Sequence, residues 1–309
     1  MEIRQFKYFV KIVEQGSLSR AATALFIAQP ALSQQIAKLE AELGVKLLVR
    51  SVRGVIPTDA GNAFYKQSKS LLKQLGSMHD TVISLGNRAS GAVSVGLATS
   101  TANVLGLPFI GAMREKLPDV RLELTESPSA YLVELVINGR IDIGVLFTNS
   151  PTKGLNVQRL VSEELFLVGP KGSLGGEDEI TLADVGRYPL MLPSMSNSLR
   201  NKVHIAFAEK NMDYVVQTEI NATHILRNAI CQGMGFSIMP WSAICTEVEC
   251  GAIDMRKVIE PGLSRDVSIC VSDVLPKSYA TECVCELLLE TITTLATEKI
   301  WKNIRLEMA

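Results

Sequence analysis

The sequence predicts a multidomain chain: a small helical unit closed by a β-wing, one long connecting helix, and a C-terminal α/β unit in two lobes. Three observations carry that expectation. Residues 1–90 hold 12 Lys/Arg against 6 Asp/Glu, a net of +6, whereas residues 91–309 hold 19 against 26, a net of −7. Near residue 91 the hydrophobic pattern changes from helical spacing to alternating strands and helices. At 309 residues, with 47% hydrophobic and 20% charged side chains, the chain is long enough for two or three domains and too apolar for disorder. A unit of +6 suits a polyanion, and the acidic remainder then has a different task.

Phe6, Phe9, Val10 and Val13 fall at helical spacing, and Gly16 ends that segment. Ser17 is placed to cap a short second helix to about Leu25, where Ala21 and Ala22 let another helix cross closely. Pro30 is expected to open a third helix, closed after Leu43 by Gly44. Leu32, Ile36, Leu39 and Leu43 form its buried stripe. Gln29, Ser33, Gln34 and Ala37 lie on its open face near the start, and Glu40 and Glu42 are held back to the far end. Such a start suits a DNA major groove: amides read base edges, small residues permit close approach, and the helix dipole favours phosphate. An ordinary solvated helix would expose the same residues. Residues 47–57 alternate around Gly54 and carry Arg50 and Arg53 without an acid, as a wing touching phosphate or a minor groove would. Three helices and a wing make a winged helix-turn-helix over residues 1–58.

These residues carry a resemblance. Gly16-Ser17-Leu18-Ser19-Arg20-Ala21-Ala22, Gln29-Pro30-Ala31-Leu32-Ser33-Gln34-Gln35-Ile36, Leu43-Gly44-Val45-Lys46-Leu47-Leu48-Val49-Arg50 and Thr58-Asp59-Ala60-Gly61 stand in order without a gap. Together they resemble the N-terminal signature of LysR-type transcriptional regulators, although Pro57 stands where many members have Leu. With Val52-Arg53-Gly54-Val55 added, the segment is similar to the nitrogen-assimilation-control branch. The resemblance implies a sequence-specific DNA-binding regulator, not an enzyme, needing no cofactor. Its DNA contacts would be Ser17, Arg20, Gln29, Pro30, Ser33, Gln34, Arg50 and Arg53. Its partners would be double-stranded DNA at a partly palindromic promoter site, a small-molecule effector, its own copies in a dimer or homotetramer, and RNA polymerase.

Thr58 can cap a long helix over 59–88, which Asp59 favours at its positive end. Phe64, Leu71, Leu75, Met78, Val82 and Leu85 form a single apolar stripe, which needs a partner. The resemblance implies antiparallel pairing of two such helices; packing on its own chain is the alternative. Residues 86–91 read as a hinge.

Beyond Ala92, strands are expected at 93–97, 121–125 and 141–147, with helices at 101–116 and 129–138 between them. That is βαβαβ, hence a parallel sheet. After a strand at 163–168 come 190–192, a helix over 197–210, 215–220, a helix over 223–232, and 236–240. The chain returns through 267–271 and a last helix near 282–295. Two lobes, 91–161 with 266–309 and 162–265, joined by crossings near Ser162 and Arg265, resemble the effector-binding half of LysR-type regulators and periplasmic solute-binding proteins. In open parallel sheets a ligand sits beyond the carboxyl ends of the strands. Those ends hold Thr99, Ser100, Thr101, Ser129, Phe147, Thr148, Ser194, Ser196, Asn197, Asn221 and Thr223. Taken singly, each hydroxyl is better explained as a helix cap. Their convergence, beside helix starts that attract anions, points to a small anionic effector.

Other classes fare worse. The charged start lacks a signal-peptide core, and the uncharged runs 89–113 and 228–246 are broken by Gly, Pro, Ser, Thr or Asn, so a cytoplasmic chain without a membrane span is expected. Six cysteines, all beyond residue 230 and none in C-x-x-C spacing, suit free thiols. No G-x-S-x-G, Walker loop or G-x-G-x-x-G occurs, and His79, His204 and His224 lack ligand spacing. A transport protein would explain only the acidic part, and a DNA-packing protein only the basic one.

Overall fold

The computed structural model describes residues 1–51, 54–83, 89–148 and 151–307. They form two compact units whose boundary falls after the long connecting helix.

In the first unit, α1 (Ile3–Gln15) ends at Gly16, whose φ of 58° is left-handed. Then α2 (Leu18–Ala24) begins on Ser17, whose Oγ accepts the Arg20 amide. Gly44 ends α3 (Gln29–Leu43) at φ 69°. The helix opens at Gln29, one residue before Pro30, where a missing N–H is equally harmless. Phe9, Ile12, Ala21, Leu32, Ile36 and Leu39 are sealed in one core with Leu47, Leu48 and Val55, while Leu43 is only half-buried. The wing is an antiparallel pair, β1 (Leu48–Ser51) and β2 (Gly54–Pro57), with Val49 opposite Ile56. Glu40, which the sequence places at the far end of α3, is buried. Its carboxylate accepts the amides of Leu47 and Leu48 at 2.9 and 3.2 Å and the Lys46 ammonium at 2.7 Å, fastening α3 to the wing.

Thr58 caps α4 (Asp59–Ile83): its Oγ1 accepts the Gly61 amide at 2.9 Å. A Cβ on Gly61 would lie 1.9 Å from the Leu47 carbonyl oxygen, so only glycine fits the close approach of α4 to the wing. Phe64 stacks on Phe6 and meets Phe9 edge-on, with centroids 5.3 and 5.1 Å apart, so the stripe begins inside its own chain. Farther along, Leu71 is exposed and Leu75 half-buried. Leu85, residues 86–88 of the expected hinge, and the side chains of Met78 and Val82 lie outside the described residues.

The second unit opens with β3 (Gly91–Leu97), α5 (Thr99–Lys116), β4 (Val120–Glu126), α6 (Ser129–Ile137) and β5 (Ile143–Phe147). β3 pairs in parallel with both β4 and β5, which is the expected βαβαβ. Next come β6 (Leu155–Pro170), β7 (Glu179–Thr181), α7 (Leu182–Val185), β8 (Leu190–Leu192), α8 (Ser198–Glu209), β9 (Val216–Glu219), α9 (Thr223–Cys231) and β10 (Ser237–Pro240). The unit closes with α10 (Trp241–Glu249), β11 (Ile253–Ile259), β12 (Ser264–Ser272), α11 (Tyr279–Thr297) and β13 (Ile304–Leu306). The main sheet has the order β4-β3-β5-β12-β6-β11-β7, with β10 and β13 also on β6, and β8 pairs in parallel with β9.

The sheet is mixed, because β12 runs antiparallel to β5 and β6. Strand β6 belongs to both halves: Leu155 to Glu164 pair with β12, and Leu165 to Pro170 with β10 and β11. Two clusters dominate the core, one under α5, α10 and α11, the other under α8. Among the described residues no helix is long and apolar enough to cross a membrane. Both uncharged runs fold as strand-and-helix segments instead.

Candidate functional site

At the start of α3, Gln29, Pro30, Gln34 and Ala37 are exposed and Ser33 is half-buried. The N-cap, Ala28, offers no side-chain acceptor, and the first turn carries no acid. The positive end of the helix is therefore open to an external anion. Ser17 is occupied in capping α2, and the exposed Arg20 donates from Nη2 to the Gln15 carbonyl at 2.5 Å, so both also hold the fold. Arg53 and the side chain of Arg50 lie outside the described residues.

In the second unit a cavity of about 280 Å³ gathers residues from distant parts of the chain. Nine of the expected residues line it: Thr99, Ser100, Ser129, Phe147, Thr148, Ser196, Asn197, Asn221 and Thr223. The helices α5, α6, α8 and α9 all present their first residues to it. The N-caps of α5 and α9 are alanines (Ala98, Ala222) without a side-chain acceptor. Val133, Leu226 and Met239 add an apolar side, and among the described residues no carboxylate lines the cavity.

Two expected residues take other places. Thr101 is fully buried and does not line the cavity. The sequence placed the helix start at Thr101, but α5 begins at Thr99, and each helical step turns the side chain by roughly 100°. Ser194 instead binds Asn221: its amide and its hydroxyl each donate to Asn221 Oδ1 at 3.0 Å, which fixes that side chain beside the cavity.

Arg265 lines the cavity and was missed as a contact, although the sequence marked it as a crossing point. Its guanidinium donates from Nε and Nη2 to Glu163 Oε2 at 2.9 and 2.8 Å, and from Nη2 to Ser100 Oγ at 2.6 Å. It lies 3.6 Å from the centre of the Phe147 ring. Burial pulls the guanidinium below its ordinary value, while the Glu163 charge and hydrogen bonds push back. The other Glu163 oxygen accepts the indole N–H of buried Trp301 at 2.9 Å. A charged pair at the back of the cavity is thereby satisfied on both sides.

Elsewhere the chemistry is sparse. The six cysteines are free, and burial pushes the Cys270 thiol up to about 12 and that of Cys285 to about 11. Among the described residues no His, Cys, Asp and Glu cluster could hold a metal ion.

Comparison with known proteins follows the same division. Residues 3–62 match the family model "Bacterial regulatory helix-turn-helix protein, lysR family", and residues 86–293 match "LysR substrate binding domain". The chain is 37% identical over 302 residues to the nitrogen assimilation regulatory protein nac of Escherichia coli (strain K12), covering 97% of this chain and 98% of that one. Among solved structures, full-length OxyR from Pseudomonas aeruginosa superposes with a TM-score of 0.74 at 21% identity, over 94% of each chain. Full-length CbnR in complex with its target DNA gives 0.70 at 22% identity, over 95% of this chain and 99% of the other.

Proposed function

From the premise that the chain belongs to the LysR family, and so is a transcriptional regulator and not an enzyme, we propose that it reads a partly palindromic promoter site under the control of a small anionic effector. The start of α3 enters the major groove, where Gln29, Pro30, Ser33 and Gln34 meet base edges. Ser17, Arg20, Arg50 and Arg53 hold the phosphates or the minor groove. Two chains pair through α4, and two dimers form the tetramer, in the cytoplasm and within reach of RNA polymerase.

The effector occupies the cavity of about 280 Å³. One observation carries this: four helix starts converge on a space that, among the described residues, no carboxylate lines. The anion closes the two halves around itself and shifts the arrangement of subunits on DNA. By linkage it does so only as far as it prefers one arrangement over the other.

Calorimetry with a panel of small carboxylates and inorganic anions tests the effector. A saturable heat that Ser100→Ala with Ser129→Ala weakens is expected, and no saturable heat across the panel would sink the proposal. A footprint at fixed salt tests the promoter reading, with two protected half-sites one helical turn apart, or a multiple of it, as the expected pattern.

A further inference from the structure

Phe26 is 95% exposed, more than any other large apolar side chain among the described residues. Its φ of 56° is left-handed, a conformation an aromatic residue rarely adopts. Two hydrogen bonds impose this shape on the turn between α2 and α3. The Phe26 amide donates to the Thr23 carbonyl at 3.2 Å, and the Ile27 amide to the Ala22 carbonyl at 3.1 Å. Ile27 is thereby drawn against the core, and the Phe26 ring is turned outward. The turn leads directly into Ala28 and Gln29, the open positive end of α3. An apolar ring has been placed in water, in a disfavoured conformation, at the edge of a surface otherwise suited to polyanions.

We propose that Phe26 is an apolar contact to duplex DNA, laying its ring on a thymine methyl group or a deoxyribose face at the edge of the half-site read by α3. The inference rests on α3 being the groove helix. Wherever the start of α3 enters the groove, the residues just before it are carried to the rim. The unit's net charge of +6 selects a nucleic acid as the occupant of that rim. Gln29 and Gln34 read by hydrogen bonds, whereas thymine offers the major groove an apolar group that only an apolar side chain exploits.

The test uses the full chain and a fluorescent duplex that the wild-type chain selects from a random library, with binding measured at several salt concentrations. Phe26→Ala and Phe26→Gly are expected to weaken binding about tenfold, the scale of one well-desolvated apolar contact. The salt slope should not change, because no phosphate contact is lost. Phe26→Gly should at the same time raise the melting temperature, since glycine takes the left-handed turn without strain. Phe26→Tyr should keep most of the affinity. Uracil in place of thymine will identify the contact: a loss seen with wild type but not with Phe26→Ala assigns the methyl group, and equal binding assigns the sugar. Wild-type affinity in both Phe26→Ala and Phe26→Gly overturns the inference. If Gln34→Ala also leaves binding unaltered, the groove reading of α3 fails as well; if it alone weakens binding, only the Phe26 inference falls.

Discussion

Glu40 shows what a single side chain contributes. Burial works to raise its carboxyl, but the Lys46 ammonium and the amides of Leu47 and Leu48 outweigh that and hold it below the usual carboxylate range. A carboxyl depressed in the folded state adds stability above its unfolded value, and that stability is lost as pH falls through the folded value. Glu40→Gln is therefore expected to cost about 1–3 kcal/mol at neutral pH, more than a neutral hydrogen bond would. The deficit should shrink once the pH drops below about 4. Urea titrations at pH 7 and pH 3 measure it, and an equal deficit at both would remove charge from the account. The thiols offer a second residue-scale test. With Cys270 near 12 and Cys285 near 11, neither holds appreciable thiolate at pH 8, so a disulfide reagent should take exposed Cys250 first and Cys270 only on unfolding.

Elements were legible wherever their signals are local. Gly16, Ser17, Gly44 and Thr58 each mark a helix end by chemistry confined to a few neighbours. The short pieces β7, α7 and β13, and β11 with α10, were not foreseen: three or four residues set no period, and β11 does not alternate in burial. Glu40 and Arg265 escaped for a related reason. The bond of Glu40 to Leu47 depends on how the chain reverses after Gly44, and the partner of Arg265, Glu163, is 102 residues away. Glu40 and Leu47 share a sequence window but no periodicity links them, and Arg265 and Glu163 share no window at all. The cavity hydroxyls were largely legible because strand ends and helix starts are local, and Thr101 was misplaced by the two-residue error in the start of α5. At this scale Gly61→Ala should destabilise the first unit by roughly 1–3 kcal/mol, since the new methyl meets backbone that cannot easily yield. Arg265→Met should cost about 3–5 kcal/mol by leaving Glu163 charged and buried. Thermal unfolding of each variant is the check.

For the whole molecule, the decisive question is whether α4 pairs with a second copy. Leu71→Asp with Leu75→Asp puts charge on the part of the stripe that its own unit leaves exposed at Leu71 and half-buried at Leu75, while Phe64 stays in place. Sedimentation should then report a monomer with unchanged helix content; a dimer of wild-type stability would assign the stripe to its own chain. The second unit carries its own whole-scale constraint in β6, whose sixteen residues bond to both halves of the sheet. Closure of the two halves around an effector must therefore deform this shared ribbon. The strand changes partners between Glu164 and Leu165, which is where such a deformation is expected. The Arg265–Glu163 pair sits beside that point, so an occupant of the cavity that touches Arg265 would bear on the strand shared by both halves.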